Sequence, residues 1–319
     1  MRLLAVDDDD IALELLTGAL RGAGYEDVVS ASSGAQALKI IAESDQPFDV
    51  FLLDIQMPGI NGIDLCRQIR GMARFRTAPI LMITAMQERR FIDQAFAAGA
   101  IDYINKPFDP MELGARVRIA EKLSQQAVQV ETTLNEVDYL KSRSGMGTAF
   151  KLEDAIEIHD VPSVISMTAM ENYLLRLTFR MAVQSKSAVF SIPGFDTLHS
   201  HAGPAELYDL LADAAEAIAA GLKYTNHLIT YVGGGHFVAV VHGRSARLDE
   251  DTQSAVQAAI NELEPSFGDG RPCPLAIQMG APYSAGLWSA TERMNLLLRP
   301  MTGVQADTGA KAAVLHHAA

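Results

Sequence analysis

At 319 residues, 49% of them hydrophobic, 7% aromatic and 20% charged, the chain is long enough for two cores and has the composition of an ordinary globular protein rather than a fibre or a disordered chain. Its net charge of −13 is shared, with 15 basic and 21 acidic side chains in residues 1–150 and 11 and 18 in residues 151–319, so neither half offers the Lys/Arg excess by which nucleic-acid binders neutralise phosphates. No apolar run approaches the ~20 residues of a membrane span, the N-terminal "MRLLAVDDDD" turns acidic too early for a signal peptide, and Cys66 and Cys273 lack CxxC spacing; a cytoplasmic protein with two packing cysteines is expected.

In chain order, the first strong signals are the apolar runs "LLAV" (3–6), "VFLLDI" (50–55) and "ILMIT" (80–84), separated by helical-period stretches such as "ALELLTGALRGAG" and "GIDLCRQIRGM". That alternation predicts a doubly wound α/β fold around a parallel sheet, with ligands at the C-terminal ends of the strands. Polar residues stand at those ends. Asp7 and Asp8 follow the first run, Asp54 closes the second, Thr84 closes the third, and Lys106 follows the short strand "DYIN". Carboxylates converging on one edge repel unless a cation neutralises them, and Mg²⁺ is the hard, oxygen-seeking ion for such a site. The chemistry implied is phosphoryl transfer to a carboxylate.

The motifs "VDDD", "LLDIQMPGINGID", "ITA" and "DYINKPF" together resemble a response-regulator receiver domain, a five-stranded flavodoxin-like fold, over residues 1–122. The resemblance implies Asp54 as phospho-acceptor. It implies Asp8, Asp54 and the backbone carbonyl of Gln56 as Mg²⁺ ligands, with Asp7 in support. Thr84 and Lys106 would bind the phosphoryl oxygens, Tyr103 would turn inward with Thr84, and a sensor histidine kinase or phosphotransfer protein would be the donor.

After "KPFDP" the sequence has no proline until Pro162, and Ala120, Leu123, Ala127, Val130, Leu134 and Val137 alternate by three and four, the spacing of a heptad seam. Residues 123–150 are therefore expected to form a helical, coiled-coil-like linker that pairs two copies into a homodimer, the alternative being that the stripe packs on its own chain.

From residue 151 onward the pattern is a helix ("MENYLLRLTFRMAVQ"), a strand ("SAVFSI"), a helix (204–222), the hairpin "LITYVGGGHFVAVVHG", a helix (251–264), the strand "LAIQMG" and a last helix "ATERMNLLLR". This is an α+β order with a mostly antiparallel central sheet. "MTAMEN" (167–172), "FSIPGFD" (190–196), "GGGHF" (233–237) and "IQMG" (277–280) resemble the GGDEF domain of diguanylate cyclases, placed over residues 151–319. By position, the family's first metal-binding acid falls on Ser191, its signature turn on Gly233, Gly234, Gly235 and His236, and its guanine contacts on His199 and Tyr208. The residues of its inhibitory motif fall on Tyr224 and His227.

Making a phosphodiester from GTP needs metal ions held by carboxylates, which a serine and a glycine cannot supply. The second domain is therefore expected to be a degenerate, non-catalytic GGDEF-like module that acts through an unidentified downstream protein. The alternatives are an active or residual cyclase making cyclic di-GMP, and a non-catalytic sensor of GTP or cyclic di-GMP. His199, His201, His236 and His242 are expected to be hydrogen-bonded or solvated rather than a metal site. The Ala/Gly-rich tail 303–319 is expected to be loosely ordered, with "AAVL" a candidate edge strand.

Overall fold

A computed structural model describes residues 1–85, 89–141, 151–159, 161–177, 179–243, 246–268 and 270–284, with positions 294, 296 and 297; of 89, 126–141, 179 and 180 it describes the backbone alone. The chain divides into two compact units, Met1–Gly145 and Met146–Ala319.

The first unit runs β1 (Arg2–Val6), α1 (Asp10–Gly22), β2 (Asp27–Ala31), α2 (Gly34–Glu43), β3 (Val50–Asp54), α3 (Gly62–Arg70), a 3₁₀ turn (Ala73–Phe75), β4 (Ile80–Thr84), α4 (Arg89–Ala97), β5 (Asp102–Asn105) and α5 (Pro110–Lys141). All strands are parallel, in the order β2-β1-β3-β4-β5. β1, β3 and β4 are buried on both faces, as expected where helices cover both sides of a parallel sheet. β2 is an edge strand with only Ala31 fully buried, so "DVVSA" shows no continuous apolar run and was not legible as a strand.

The acidic run after β1 divides its labour. The Asp9 side chain accepts from the N–H groups of Ile11 and Ala12 and caps α1, Asp10 opens the helix, and Asp7 and Asp8 are left to the sheet edge. At the opposite edge of the sheet, Arg70 at the end of α3 donates to the carbonyls of Phe75, Arg76 and Ala78 ahead of β4 and to that of Gly99 ahead of β5. Cys66 is buried, its thiol pushed up to about 11 by burial and turned to the Ala98 carbonyl, and Cys273 is also buried and unpaired.

One expected seam position is occupied within the first unit. Ala120 is buried in the core beside Leu113 and Val117, with Leu13, Leu16 and Leu20 of α1 in the same cluster, so the first seam position belongs to the first unit's own core. A helix stripe that faces a sheet and a heptad seam share the same spacing. Leu123 is half-buried, and the side chains of Ala127, Val130, Leu134 and Val137 lie outside the described residues.

The second unit contains α6 (Met167–Arg176), α7 (Phe179–Val183), β6 (Ser185–Ser191), α8 (Phe195–His201), α9 (Pro204–Gly221), β7 (Asn226–Tyr231), β8 (His236–His242), α10 (Glu250–Leu263), β9 (Gln278–Met279) and β10 (Tyr283–Ser284). The sheet is antiparallel, in the order β10-β6-β8-β7 with β9 also on β6. One face, with Phe190, Ile229, Phe237 and Ala239, shares a core with Leu210, Ala214 and Ile218 of α9 and Val256 and Ile260 of α10. On the other face the buried His242 has its Nδ1 at 2.7 Å from Ser185 Oγ and its Nε2 at 2.6 Å from the Tyr173 hydroxyl of α6.

The single long helix expected over 170–184 is broken, because buried Leu177 leaves the helix with ψ of 129°. Of "LAIQMG" only Gln278–Met279 pairs as a strand. Most of the helix expected at 290–299, and the whole tail with "AAVL", lie outside the described residues. Among the described residues no helix is long and apolar enough to cross a membrane.

Candidate functional site

In the first unit the polar residues at the strand ends meet. Asp7 is 1% exposed and Asp54 is 4% exposed, while Asp8 stands at the surface. Oxygens from all three carboxylates lie within 4.8 Å of one another. Lys106 Nζ sits between two of them, 2.6 Å from Asp7 Oδ2 and 3.0 Å from Asp54 Oδ1. Its position is set by β5 and by its own N–H, which donates to the Thr84 carbonyl at 2.8 Å.

Burial pushes the Asp54 carboxyl up to about 6; Lys106 pulls it down and the charges of Asp7 and Asp8 push it up further. Burial works the other way on Lys106, but its hydrogen bonds to Asp7 and Asp54 win and hold the ammonium above its ordinary value. The cluster is thus short of positive charge: three carboxylates share one ammonium. An all-oxygen donor set with a charge deficit suits Mg²⁺.

Three further features frame the acceptor. Thr84 is fully buried at the end of β4. Tyr103 is already buried, edge-on to Phe96 of α4 with ring centroids 6.3 Å apart. Gln56 is exposed, two residues past Asp54 in the loop to α3. Sequence reading did not single out Gly62, although it lies inside "GINGID". A Cβ there would fall 2.0 Å from the Asp54 carbonyl oxygen, so only glycine lets the start of α3 approach β3 this closely.

In the second unit, Gly233, Gly234 and Gly235 all adopt positive φ, at 90°, 62° and 75°, in the turn joining β7 to β8. His236 pairs across the sheet with Ser191, and its Nδ1 lies 2.9 Å from the Ser191 hydroxyl. Burial lowers the His236 pKa, which favours the neutral ring. Tyr208 accepts from the His159 N–H at 3.0 Å, and His199 lies on α8 near the Phe195 ring. Tyr224 is exposed, whereas His227 is half-buried with its pKa lowered by burial. Of the positions marked from the GGDEF resemblance, Ser191 and His236 are thus in direct contact, and Gly235 and His199 both neighbour the Phe195 ring. Among the described residues the sole group of three or more His, Cys, Asp or Glu side chains close enough to hold a metal is Asp7, Asp8 and Asp54.

Comparison with known proteins accounts for the first unit. Residues 3–118 match the family described as the response regulator receiver domain. The DNA-binding response regulator MtrA of Mycolicibacterium paratuberculosis is 41% identical over 145 residues, spanning 43% of this chain and 62% of that protein. The alkaline phosphatase synthesis transcriptional regulatory protein PhoP of Bacillus subtilis is 35% identical over 174 residues, spanning 54% of this chain and 70% of that protein. Among solved structures, the chemotaxis protein CheY4 of Vibrio cholerae is 29% identical, covering 37% of this chain and 97% of that one, with a TM-score of 0.35. The chain therefore spans about three fifths of the length of the MtrA relative. The acid cluster, Lys106 and Thr84 lie at the C-terminal edge of the sheet that residues 3–118 build, and the chain belongs to the response regulators of two-component systems, with its receiver domain in that stretch.

Proposed function

We propose that this response regulator is switched by phosphorylation of Asp54, with a sensor histidine kinase or phosphotransfer protein as donor. The observation that carries this reading is Lys106 Nζ lying between Asp7 and Asp54 on a charge-deficient parallel-sheet edge. An Asp54 carboxylate oxygen attacks the donor's phosphorus; a bond from Asp54 Oδ to phosphorus forms as the donor's bond to phosphorus breaks, and the donor leaves with that electron pair. Lys106 then pairs with the phosphoryl oxygens, and the Thr84 hydroxyl donates to them. Mg²⁺, held by Asp8, Asp54 and the Gln56 carbonyl with Asp7 in support, would neutralise the phosphoryl charge. Tyr103, being already inside, would follow Thr84 by repacking against Phe96 rather than by entering from solvent.

For the second unit we propose a non-catalytic, GGDEF-like output that acts by contact with a protein, in a homodimer joined through α5. Supporting this are Gly235 and His236 at the turn and Ser191 across from it at the end of β6, which offer no carboxylate. MtrA is named as DNA-binding, but the match to it is 145 residues long, and residues 151–319 carry 18 acidic against 11 basic side chains, a poor electrostatic match to a phosphate backbone. The test of the main reading is mass spectrometry after treatment with acetyl phosphate and Mg²⁺. A single phosphoryl adduct on Asp54, lost in Asp54→Ala, is expected; an adduct that survives the substitution sinks the proposal. Incubation with GTP and Mn²⁺ should yield no cyclic di-GMP, and steady product formation would favour the cyclase instead.

A further inference from the structure

The main-chain N–H groups of the glycine turn are satisfied in two ways. The Val232 and His236 N–H groups donate to the His236 and Gly233 carbonyls, and the Gly235 N–H donates to the Tyr231 hydroxyl, all within the hairpin. The Gly234 N–H instead donates to the carbonyl of Leu152, 2.7 Å away and about eighty residues earlier in the chain. Beside it, a Cβ on Gly233 would meet the Glu153 carbonyl oxygen at 2.4 Å, so the backbone of 152–153 lies directly on the turn.

The segment that makes these contacts is held unevenly. Its C-terminal end is fixed: Ile229 of β7 exchanges backbone hydrogen bonds with Ser163 and Ile165, both at 2.8 Å, and Ile158 is buried. Midway, the His159 N–H is held by Tyr208. The N-terminal part is shallow. Lys151, Glu153, Asp154, Ala155 and Glu157 are exposed, and only Leu152 and Ile156 rest half-buried on the core. Segments with few buried contacts open at low free energy, independently of the fold that carries them.

We propose that the triple-glycine turn is a docking site for a main-chain carbonyl and that residues 152–153 of the same chain are its displaceable resident, an intramolecular strap that closes the turn while it is seated. Consecutive glycines with positive φ suit this role, because a turn with no Cβ lets another backbone lie against it. The inference stands on the second unit alone, so its failure leaves the Asp54 labelling result untouched.

Residue-resolved amide hydrogen exchange on the full chain tests it, with Leu152→Asp and Leu152→Asp/Ile156→Asp to unseat the strap. The Gly234 amide should exchange roughly tenfold faster or more in the variants, the scale of losing one hydrogen bond of ordinary net strength. The Val232 and His236 amides and those of α9 and α10 should keep their wild-type rates. Unchanged Gly234 exchange in both variants would overturn the proposal. Acceleration spread over Val232, His236, α9 and α10 would overturn it equally, since the strap would then be an inseparable part of the core.

Discussion

The receiver's acid pocket and the glycine turn of the second unit are both polar places at the end of a sheet, and they are resolved in opposite ways. In the pocket, three carboxylates face one ammonium, and burial raises the Asp54 pKa to about 6. At the turn every hydrogen-bonding group just described has a partner, from Tyr231, Ser191, Leu152 or the hairpin itself. A charge deficit stores potential for an outside ligand, whereas the turn's outward-facing Gly234 N–H is already met by a carbonyl of the same chain. Burial favours the neutral form at both, so Asp54 is raised while His236 is lowered.

Substitutions test how deep that contrast runs. The largest effect is expected at Gly62→Val, where the added side chain must occupy space 2.0 Å from the Asp54 carbonyl. Overpacking of this kind costs on the order of 3 kcal/mol, measured by urea denaturation. A neutral outcome would mean that α3 is free to shift and that the pocket is less rigidly framed than it looks.

Next comes Asp54→Asn in Mg²⁺-free buffer. A carboxyl whose folded pKa is raised from 3.8 to about 6 binds more protons folded than unfolded, so its contribution is fully present below pH ~4 and is lost as pH rises through ~6. The variant should therefore be more stable than wild type at pH 8, by at most ~3 kcal/mol, with the gap closing towards pH 4. A variant less stable at pH 8 would show that Lys106 outweighs burial.

Ser191→Ala should show the opposite sign, a loss of ~1 kcal/mol at neutral pH from removing the partner of His236. His236 has a lowered folded pKa, so the stability of its neutral form is present above the ordinary histidine value and falls away as pH drops below ~6.5. The two sites thus respond to acid in opposite senses, and thermal melts at pH 5 and pH 8 separate them. The smallest effect is expected at Gly18→Ala in α1, where a Cβ meets nothing within 4 Å. Helix propensity alone should stabilise the unit by ~0.5–1 kcal/mol.

How far the chain could be read from its sequence follows the same physics. Asp7, Asp54, Thr84 and Lys106 were legible because each interrupts or closes an apolar run, and a polar residue at the end of a buried strand has few structural reasons to be there. β2 was hidden because an edge strand that is half solvated carries no apolar run. Ala120 was assigned to a dimer seam because spacing does not say which partner a helix stripe faces. The strap left no trace: its contact at the turn is one carbonyl on one N–H, and backbone atoms have no sequence signature. The break at Leu177 was equally silent, since both sides of it favour helix.

Arg70 gives the receiver a fixed pole. Its guanidinium ties together the four carbonyls that precede β4 and β5, at the end of the sheet farthest from Asp54. Those are the two strands whose far ends carry Thr84 and Lys106. A lever transmits motion only if one end is pinned. With β4 and β5 tied to one guanidinium where they begin, their starts are held to each other, while Thr84 and Lys106 stand at the ends that this tie does not reach.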